Sequence, residues 1–458
     1  MTPPQTAIYL NSFIDYERDL QRRSPHDFKL GRMRRLLQEV GNPQDRLLAV
    51  HIAGSKGKGS TCAMLAHILH AAGYRTGLYT SPHIDTYHER IRVLGGEGPA
   101  SSGLFADSIR EKDLEDVLAN YREAFESLRD TKEYGRLTFY EVFTAVALLH
   151  FVRCGVDVAV LETGLGGRLD ATNTVPARAA VITAIGLEHT AILGETLAAI
   201  AAEKAAIIKS GQQVIVAPQE ASAAAVIHEQ CAAVGVTPRL VRPEMVRAGA
   251  VTTTGQVISV NSGEAEYPDL RLALSGVPQQ INAATAICTA ECLKAVGLSV
   301  SPEAIVNGLA GVRWPLRFER IAAAPEVIID AAHSLESLGA LKLTLNQLLP
   351  GKRIVAVIGM SADKNPARLC PVIAEFADHV FLTAADHPRA YRFQADEAGR
   401  LFAGGTAQCV DGLNEALDRA LVTAGPDGVV IVTGSLFIAA QARRRWATGV
   451  SNNLPTGS

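Results

Sequence analysis

Short apolar runs alternate along the chain with longer stretches whose apolar residues recur every three or four positions. The first run, residues 47–53, ends at Gly54, and a helical pattern follows it to about Gly73. Continuous apolar runs are typical of strands buried on both faces, and helices between them imply right-handed crossovers and a parallel sheet. Later runs of the same kind are VDVAVLETG, AAVITAIG, QVIVAP, EVIIDAAH, KRIVAVIGM, HVFLTA and GVVIVTGS.

Three stretches depart from this alternation. Residues 1–46 have helical spacing on both sides of a predicted turn, HDFKLGR, at 26–32. Residues 94–118 contain Gly-Gly-Glu-Gly-Pro and Ser-Ser-Gly, so we expect a mobile loop there. Residues 240–275 change to short alternating segments, which predict a small antiparallel ribbon.

Composition narrows the class of protein. Hydrophobic residues make up 48% and charged residues 20%, with a net charge of −3, so a large core is expected and nucleic-acid or membrane partners are not. The seven cysteines include no CxxC pair, which favours free thiols in a reducing cytosol. No signal peptide and no apolar run near the ~18–20 residues of a membrane span are evident. We expect a soluble, cytoplasmic monomer.

A glycine-rich segment with a lysine and a hydroxyl follows the first apolar run. Gly54 and Gly57 are followed by Lys58, Gly59 and Ser60, where the helical pattern begins. This order of strand, glycine turn, lysine, hydroxyl and helix is typical of a phosphate-binding loop. The amides at the helix start attract the anion, the lysine neutralises it, and the Ser60 hydroxyl suits Mg²⁺. A glycine-rich turn with an incidental lysine is the less favoured interpretation.

The chain therefore has the pattern of an α/β protein in two domains. We predict a P-loop-type, mostly parallel sheet ATPase domain followed by a smaller, Rossmann-like α/β domain. The phrase RWPLRF interrupts the helical pattern between them. The expected boundaries are 1–312 for the first domain, 313–320 for a linker, 321–450 for the second domain and 451–458 for a flexible tail.

Two polar side chains follow later strands of the first series. Glu162 ends the apolar run in VLETGLGGRLDATN, and His189 follows the run AAVITAIG. Parallel strands present their carboxyl ends at the edge where open α/β sheets bind ligands. Glu162 is either a Mg²⁺ ligand or a carboxylate that caps the glycine-rich turn. His189, taken alone, is more consistent with a structural role, because Mg²⁺ prefers oxygen.

Other polar residues are ambiguous when taken singly. Lys204 lies among Ala and Ile in TLAAIAAEKAAIIKSG, where the pattern favours a side chain that extends to water and pairs with Glu203 or Glu195. Ser81 either brings a hydroxyl to the phosphate edge or caps a turn. Arg168 and Asp170 form either a local ion pair or contacts to a ligand. Surface, turn or capping roles are the default for Asn282, Arg317, Asp330 and His333.

Taken together, the motifs resemble the Mur ligase superfamily, and most closely its folylpolyglutamate synthase/dihydrofolate synthase family. The similarity runs from about residue 26 to 435, and its most specific phrase is LETGLGGRLDATN. The other matching phrases are AGSKGKGST, GYRTGLYTSPH with HERIRV, LTFYE, GLEHTAILG, AAEKAAIIKSG, NAATA and DAAH.

The resemblance implies ATP-dependent amide formation, in which a pterin or folate carboxylate is activated as an acyl phosphate and L-glutamate displaces phosphate. Catalytic roles are implied for Lys58, Glu162, His189 and Lys204, the last as a carbamate. Mg²⁺ is implied to lie among Ser60, Ser81, Glu162 and His189. ATP is implied to contact Gly54, Gly57, Lys58, Gly59, Ser60, Asn282, Arg317, Asp330 and His333, with His333 near the nucleotide or the glutamate. The pterin side is implied to use Lys29, Leu30, Gly31, Arg32, Leu137, Thr138, Phe139, Tyr140, Leu169, Asp170 and Ala171.

The sequence departs from the usual family pattern in four places. Ser55-Lys56 replaces Thr-Asn in the loop, where Lys56 is expected to add a second cation near the phosphates. Glu188-His189 replaces Asp-His, a conservative change. DAAHSL replaces Asp-x-Ala-His-Asn-Pro, and WPLR replaces a Pro-Gly-Arg turn. These two changes are expected to affect the site that binds the amino acid more than the ATPase core.

Two alternatives to a folate ligase remain open. A cell-wall Mur ligase acts on another carboxylate and carries a UDP-sugar domain before the ATP loop, for which the 53 residues before Gly54 are too few. A nucleotide-binding homologue without ligase activity is suggested by the altered second-domain motifs. The survival of Lys58, Ser60, Glu162, His189 and Lys204 argues against it.

Overall fold

Two compact units make up the chain in a computed structural model that describes residues 3–16, 29–95, 104–402 and 405–447. The first unit consists of Met1–Ala248, Ile258–Leu272 and Gln279–Val312, and the second of Gly249–Val257, Ala273–Pro278 and Arg313–Ser458. The sequence analysis placed both short segments in the first domain. Hydrogen bonds join the segments Gly249–Val257 and Ala273–Pro278 to each other: Gln256 Nε2 donates to the carbonyls of Leu274 and Gly276, both at 2.9 Å.

The first unit is built on a seven-stranded sheet with the order β3-β2-β6-β1-β7-β8-β9. All neighbours are parallel except β2 and β3. Its strands β1 and β6 are buried along their whole length, as their continuous apolar sequences predict. The strands of this unit up to residue 240 are β1 Ala49–Ala53, β2 Thr76–Tyr79, β3 Ile91–Leu94, the short pair β4 Asp130–Thr131 and β5 Gly135–Arg136, β6 Val158–Glu162, β7 Ala179–Ile182, β8 Gln213–Val216 and β9 Arg239–Leu240.

Helices connect these strands and bury their apolar residues against the sheet. The best-defined start is at Thr138, whose hydroxyl accepts from the Glu141 amide while the Glu141 carboxylate accepts from the Thr138 amide, a capping box. The helices are α1 Pro3–Asn11, α2 Leu30–Glu39, α3 Lys58–Ala71, α4 Glu111–Asn120, α5 Arg122–Ser127, α6 Phe139–Arg153, α7 Thr190–Leu193, α8 Leu197–Ala205, α9 Ala221–Ala233, α10 Val277–Cys292 and α11 Pro302–Gly311.

A separate three-stranded sheet occupies the region predicted to form a ribbon. Its strands are β10 Val246–Thr252, β11 Gly255–Asn261 and β12 Glu266–Leu272, in that order across the sheet. Only two residues join β10 to β11, a connection that antiparallel neighbours allow and parallel neighbours do not.

The second unit contains a six-stranded sheet with the order β13-β14-β18-β15-β16-β17, in which only β13 is antiparallel. Strand β13 begins inside the segment 313–320 that was predicted as a linker, and β13 and β17 were not predicted. The strands are β13 Glu319–Ala323, β14 Glu326–Ile329, β15 Ile354–Ile358, β16 His379–Leu382, β17 Ala407–Cys409 and β18 Val429–Thr433. The helices are α12 Leu335–Leu348, α13 Pro366–Ala374, α14 Glu397–Leu401, α15 Leu413–Ala424 and α16 Leu436–Ala447. The predicted fold class, two α/β parts with mostly parallel sheets, is confirmed.

Two local predictions were wrong. Helix α2 begins at Leu30, inside the predicted turn at 26–32, because Met33, Leu36 and Leu37 recur at helical spacing and pack in the core. Helix α4 occupies part of the predicted loop at 94–118, because Leu114 is buried with Val117 and Leu118 on one face. Residues 26–28, 96–103 and the predicted tail at 451–458 lie outside the described residues.

No helix among the described residues is long and apolar enough to cross a bilayer.

Candidate active site

The glycine-rich loop between β1 and α3 can exist only with glycine at two positions. A Cβ at Gly54 would lie 1.8 Å from Thr183 Oγ1, and one at Gly57 would lie 2.3 Å from Asn282 Oδ1. Gly57 also has φ of +85° and precedes the first residue of α3, Lys58. The first amides of α3 have no partners within the helix, and the helix dipole is positive there. The loop therefore offers an anion site, with Asn282 of the same unit beside it.

The loop is bonded along its length to the segment that follows β7. The amides of Ser55 and Lys56 donate to the carbonyl of Ala184 at 2.9 and 3.0 Å, and Ser55 Oγ donates to the carbonyl of Gly186 at 2.9 Å. The ammonium of Lys56 forms an ion pair with the carboxylate of Glu188. The second cation expected from Lys56 therefore has a counter-ion in the same unit.

Glu162 lies at the carboxyl end of β6, and Ser81 follows β2, the strand directly beside β6 in the sheet. The amide of Ser81 donates to Glu162 Oε2 at 3.1 Å. Asp170 caps the glycine-rich turn, since its Oδ2 accepts 2.9 Å hydrogen bonds from the amides of Gly164 and Leu165. Glu162 is only 5% exposed, so its carboxylate belongs to the interior of this edge.

Asp170 holds the glycine-rich turn in shape. Besides the two amides bound by Oδ2, its Oδ1 accepts from the amide and the hydroxyl of Thr172, and Tyr140 OH approaches it at 3.4 Å. Burial raises the pKa of Asp170, while these donors favour the ionised form and lower it. A local ion pair was one of the two roles left open for Arg168 and Asp170; Arg168 pairs with Glu203 at 2.9 Å instead.

Lys204 is buried in α8, contrary to the prediction from its local pattern. The residue is 4% exposed, and Glu203, one of the two partners expected for it, pairs with Arg168 instead. Burial, and after it the nearby charge of Lys58, lower the pKa of Lys204 to about 7, against the opposing fields of Glu188, Asp170 and Glu162. The structure thus brings Lys204 into the electrostatic neighbourhood of the loop lysine and of the predicted metal ligand Glu162.

A cavity opens beside this edge. His189, which has left-handed backbone geometry with φ of +53°, lines it together with Gly164 of the glycine-rich turn. Of the residues predicted to bind the pterin side, seven line the cavity, namely Lys29, Arg32, Thr138, Tyr140, Leu169, Asp170 and Ala171. The residues that the sequence analysis missed are Ile14, Asp15, Tyr16, Met33, Glu141, Gly164 and Leu165.

Four other residues predicted for the pterin side are not among the residues that line this cavity: Leu30, Gly31, Leu137 and Phe139. Leu137 and Phe139 are buried in the hydrophobic core instead. Phe139 stacks on Phe143 with ring centroids 5.2 Å apart. Along a helix and the strand that leads into it, neighbouring residues point in different directions, so a run of consecutive residues cannot all face one cavity.

A buried ion pair forms one wall of the cavity. Arg32 Nε donates to both oxygens of Glu141 at 2.8 Å, and Arg32 Nη1 donates to the carbonyl of Tyr134 at 3.0 Å. Glu141 also accepts from the amide and hydroxyl of Thr138. Burial raises the pKa of Glu141, and the Arg32 guanidinium lowers it. The ion pair holds the guanidinium of Arg32, which belongs to α2, next to the first turn of α6.

In the second unit, Asp330 follows β14 and organises the turn that contains Arg317. Its Oδ2 accepts from the amide of Phe318 and its Oδ1 from the amide of Ala332, both at 2.8 Å. Burial raises the pKa of Asp330, whereas the charge of Arg317 lowers it. His333 lies three residues on, and its Nδ1 donates to the carbonyl of Ala331 at 2.8 Å.

Comparison with known proteins identifies the family. The Mur ligase middle domain matches residues 123–290, and the Mur ligase glutamate ligase domain matches residues 316–436. A dihydrofolate synthase/folylpolyglutamate synthase of Bacillus subtilis is 33% identical over 91% of this chain and 94% of its own. A folylpolyglutamate synthase of Lacticaseibacillus casei is 33% identical over 98% of this chain and 100% of its own. The chain belongs to the folylpolyglutamate synthase/dihydrofolate synthase family.

The folds agree as well as the sequences. The solved structure of an FPGS–AMPPCP–folate complex matches this fold with a TM-score of 0.82 at 31% sequence identity. The match covers 97% of this chain and 99% of the chain in that complex. Membership of the folylpolyglutamate synthase/dihydrofolate synthase family makes this protein an ATP-dependent ligase.

Two departures from the usual pattern of the folylpolyglutamate synthase/dihydrofolate synthase family explain each other. Lys56 replaces the usual asparagine of the loop and Glu188 replaces the usual aspartate before His189, and these two residues form one ion pair. They are 132 positions apart in the sequence, so no local pattern connects them.

The second unit contains charged residues that the sequence analysis did not single out. Past the end of β15, Asp363 is 3.0 Å from the Lys364 ammonium and 3.5 Å from Arg389 Nη2, which follows β16. Backbone bonds join the two loops, since the amide of Ala362 donates to the carbonyl of Arg389 at 2.7 Å. Two cations thus meet at the carboxyl edge of the second sheet, the position where parallel sheets bind ligands. The feature of the sequence that could have identified Lys364 and Arg389 is the polar segment that follows each apolar run.

Proposed function

We propose that the protein joins L-glutamate to dihydropteroate, to reduced folates or to both, at the expense of ATP. The observation that carries this proposal is the cavity, because residues of the glycine-rich turn after Glu162 and the His189 segment form part of its wall. A substrate bound there has a route to the edge of the sheet that carries the phosphate loop. The folate and the ATP analogue in the related FPGS complex support the same assignment of substrates.

The reaction needs activation of a poor electrophile. A carboxylate oxygen of the pterin or folate substrate attacks the γ-phosphorus of ATP, and ADP leaves with the electron pair of the broken P–O bond. The amino nitrogen of glutamate then attacks the acyl carbon, phosphate leaves, and the nitrogen loses a proton to give the amide. The amides at the start of α3 and the Lys58 ammonium oppose the phosphoryl charge, and their fixed positions lower the cost of reorganisation.

The donor set at the edge suits Mg²⁺, which would supply charge neutralisation on the phosphates. Ser60, Ser81 and Glu162 offer oxygen, the ligand atom that this cation prefers, and Ser81 and Glu162 are already in contact. No group of three or more His, Cys, Asp or Glu side chains arranged for a metal ion occurs within the described ranges. The proposed site offers two hydroxyls, one carboxylate and His189. Mg²⁺ would therefore take its remaining ligands from oxygens of the nucleotide.

Lys204 is proposed to carry a carbamate. The ammonium first loses one proton; the neutral nitrogen then bonds to the carbon of carbon dioxide, one C=O electron pair moves to oxygen, and the nitrogen loses a second proton, so a cation becomes an oxygen anion. The lowered pKa of Lys204, which follows from burial and from Lys58, makes the neutral amine available near pH 7. The product would place a carboxylate-like group beside Glu162 and Lys58, where it can position the metal or balance the loop charge.

For the amino acid, the second unit offers two cations where glutamate offers two carboxylates. Lys364 and Arg389 share Asp363, and we propose that they recognise a glutamate carboxylate. Contacts of Arg317, Asp330 and His333 with the nucleotide remain predictions, as does that of Asn282, whose position beside Gly57 supports it. The seven free cysteines support a cytoplasmic location, and a monomer is proposed as the active form.

Phosphate release from Mg-ATP tests the proposed function. We expect release to be stimulated by glutamate together with dihydropteroate or with tetrahydrofolate, because the acyl phosphate decomposes productively only when both acceptors are present. Side-by-side measurement of the two substrates decides which reaction is performed. Stimulation by neither pair would contradict the folate ligase, and ATP binding without any stimulated release would favour the homologue without ligase activity.

A further inference from the structure

The phosphate loop and the segment that carries His189 are joined by a ladder of contacts. Residues 55 and 56 contribute the donors, and the acceptors lie at alternate positions after β7: the carbonyls of Ala184 and Gly186 and the carboxylate of Glu188. The ion pair between Lys56 and Glu188 is the last contact of the ladder and the only one that uses two charged side chains.

The position of Glu188 gives this ion pair its importance. The next residue, His189, has left-handed geometry with φ of +53°, a conformation that is uncommon for a residue other than glycine and needs support from its surroundings. Helix α7, which follows it, spans only Thr190–Leu193, so it provides little rigidity of its own. The side chain of Glu188 is held to the loop, and the next residue, His189, lines the cavity.

The charges also balance. The two side chains are 27% and 14% exposed, so their interaction is screened less than that of a surface pair. A carboxylate at this place without a counter-ion would repel the phosphates of ATP, and an ammonium without one would compete with Lys58 for them. As a pair they hold the loop while adding no net charge to the anion site.

We propose that Lys56 and Glu188 are positioning residues for the ligation reaction, whose ion pair holds the turn that carries His189 against the phosphate loop. This rests on the proposed function only in that His189 acts at the nucleotide edge. Neither residue needs to touch the substrate: the pair sets the distance between the loop and the imidazole, and therefore the geometry available to Mg-ATP.

A double-mutant cycle tests the coupling. Lys56→Asn, Glu188→Gln and the double variant are compared with wild type for the dissociation constant of a non-hydrolysable ATP analogue in the presence of Mg²⁺. We expect each single variant to weaken binding about threefold to fivefold, the upper part of the range for partly exposed ion pairs, and the double variant to be no weaker than the poorer single. Lys56→Arg, which keeps the charge, is expected to bind within about twofold of wild type.

Kinetics separate positioning from a general loss of structure. The Mg²⁺ concentration for half-maximal turnover should rise and kcat should fall in the single variants, while KM for the folate substrate stays near the wild-type value. The matched control is Arg419→Gln, which removes an exposed ion pair with Glu415 in α15 and should change none of these values.

Additive losses in the cycle, or an Arg variant as poor as the Asn variant, would overturn the proposed pair. Failure of wild type to bind the analogue would overturn both the nucleotide site and this proposal. Binding with the expected coupling but without stimulated phosphate release would reject the proposed function and leave the coupling of loop and turn established.

Discussion

Replacing Lys204 by methionine is expected to reduce ligase turnover about 10²–10³-fold, the loss typical of removing a preorganised electrostatic group from an active site. The substitution keeps an unbranched side chain of similar length in α8, so packing is preserved. Added bicarbonate should not restore activity, because methionine has no amine that can form a carbamate. Turnover is measured as phosphate release with saturating Mg-ATP, pterin or folate substrate and glutamate.

The same substitution should leave stability unchanged or increase it. The pKa of Lys204 is about 7 in the folded protein, and that of lysine in an unfolded chain is about 10.4. Below pH 7 both states bind the proton and the cost of burying the charge is fully present. Between the two pKa values the unfolded state binds more protons, so this residue's contribution to stability improves as pH rises. The gain from Lys204→Met should therefore be largest near pH 6 and should decline towards pH 10.

Lys209→Met is the matched control. Lys209 lies just after α8, and its pKa is also lowered by burial and by Arg34, but its ammonium donates to the backbone carbonyl of Asn173 at 2.8 Å. Its removal should cost stability and leave turnover within a few-fold of wild type. Wild-type turnover in the Lys204 variant, or equal losses in both variants, would contradict a catalytic role for Lys204.

The contrast between Lys204 and the loop shows which parts of the site a sequence can predict. Gly54, Lys58 and Ser60 belong to one short segment whose function depends on its own backbone, so the motif suffices. The local pattern around Lys204 favoured a side chain that reaches water, because burial is set by where α8 packs and not by its neighbours in the sequence. Only the resemblance to a family corrected that interpretation.

Long-range pairs account for most of the remaining errors. Glu141 was recognised in the phrase LTFYE but received no role, because its partner Arg32 is 109 positions away. Lys56 was interpreted as a second cation near the phosphates, without its partner Glu188, for the corresponding reason. The strands and helices themselves were predictable where apolar periodicity was strong, as in β1, β6 and α6. The edge strands β13 and β17 are partly exposed and contain polar residues, and β17 is also short, so they lack the continuous apolar run that marks the inner strands.

Replacing Glu141 by alanine is expected to destabilise the first unit by about 3–5 kcal/mol, the cost of removing one partner from a buried ion pair. The side chains of Arg32 and Glu141 are 4% and 8% exposed, so water cannot replace the lost carboxylate around the guanidinium. The capping box of α6 is lost with the same side chain, which adds to the effect.

Urea unfolding followed by two signals measures this effect. Both tryptophans, Trp314 and Trp446, belong to the second unit, so fluorescence reports that unit while far-ultraviolet circular dichroism reports both. Glu141→Ala should lower the urea midpoint of the transition seen by circular dichroism and leave the midpoint of the fluorescence transition unchanged.

Glu39→Gln is the control. It breaks an exposed ion pair between Glu39 and Arg35 of α2, which should cost no more than about 1 kcal/mol. Replacing both buried partners, in Arg32→Met/Glu141→Leu, should be less damaging than Glu141→Ala alone, because no charge is left behind. A Glu141→Ala protein as stable as Glu39→Gln would show that the Arg32 charge is accommodated without its carboxylate.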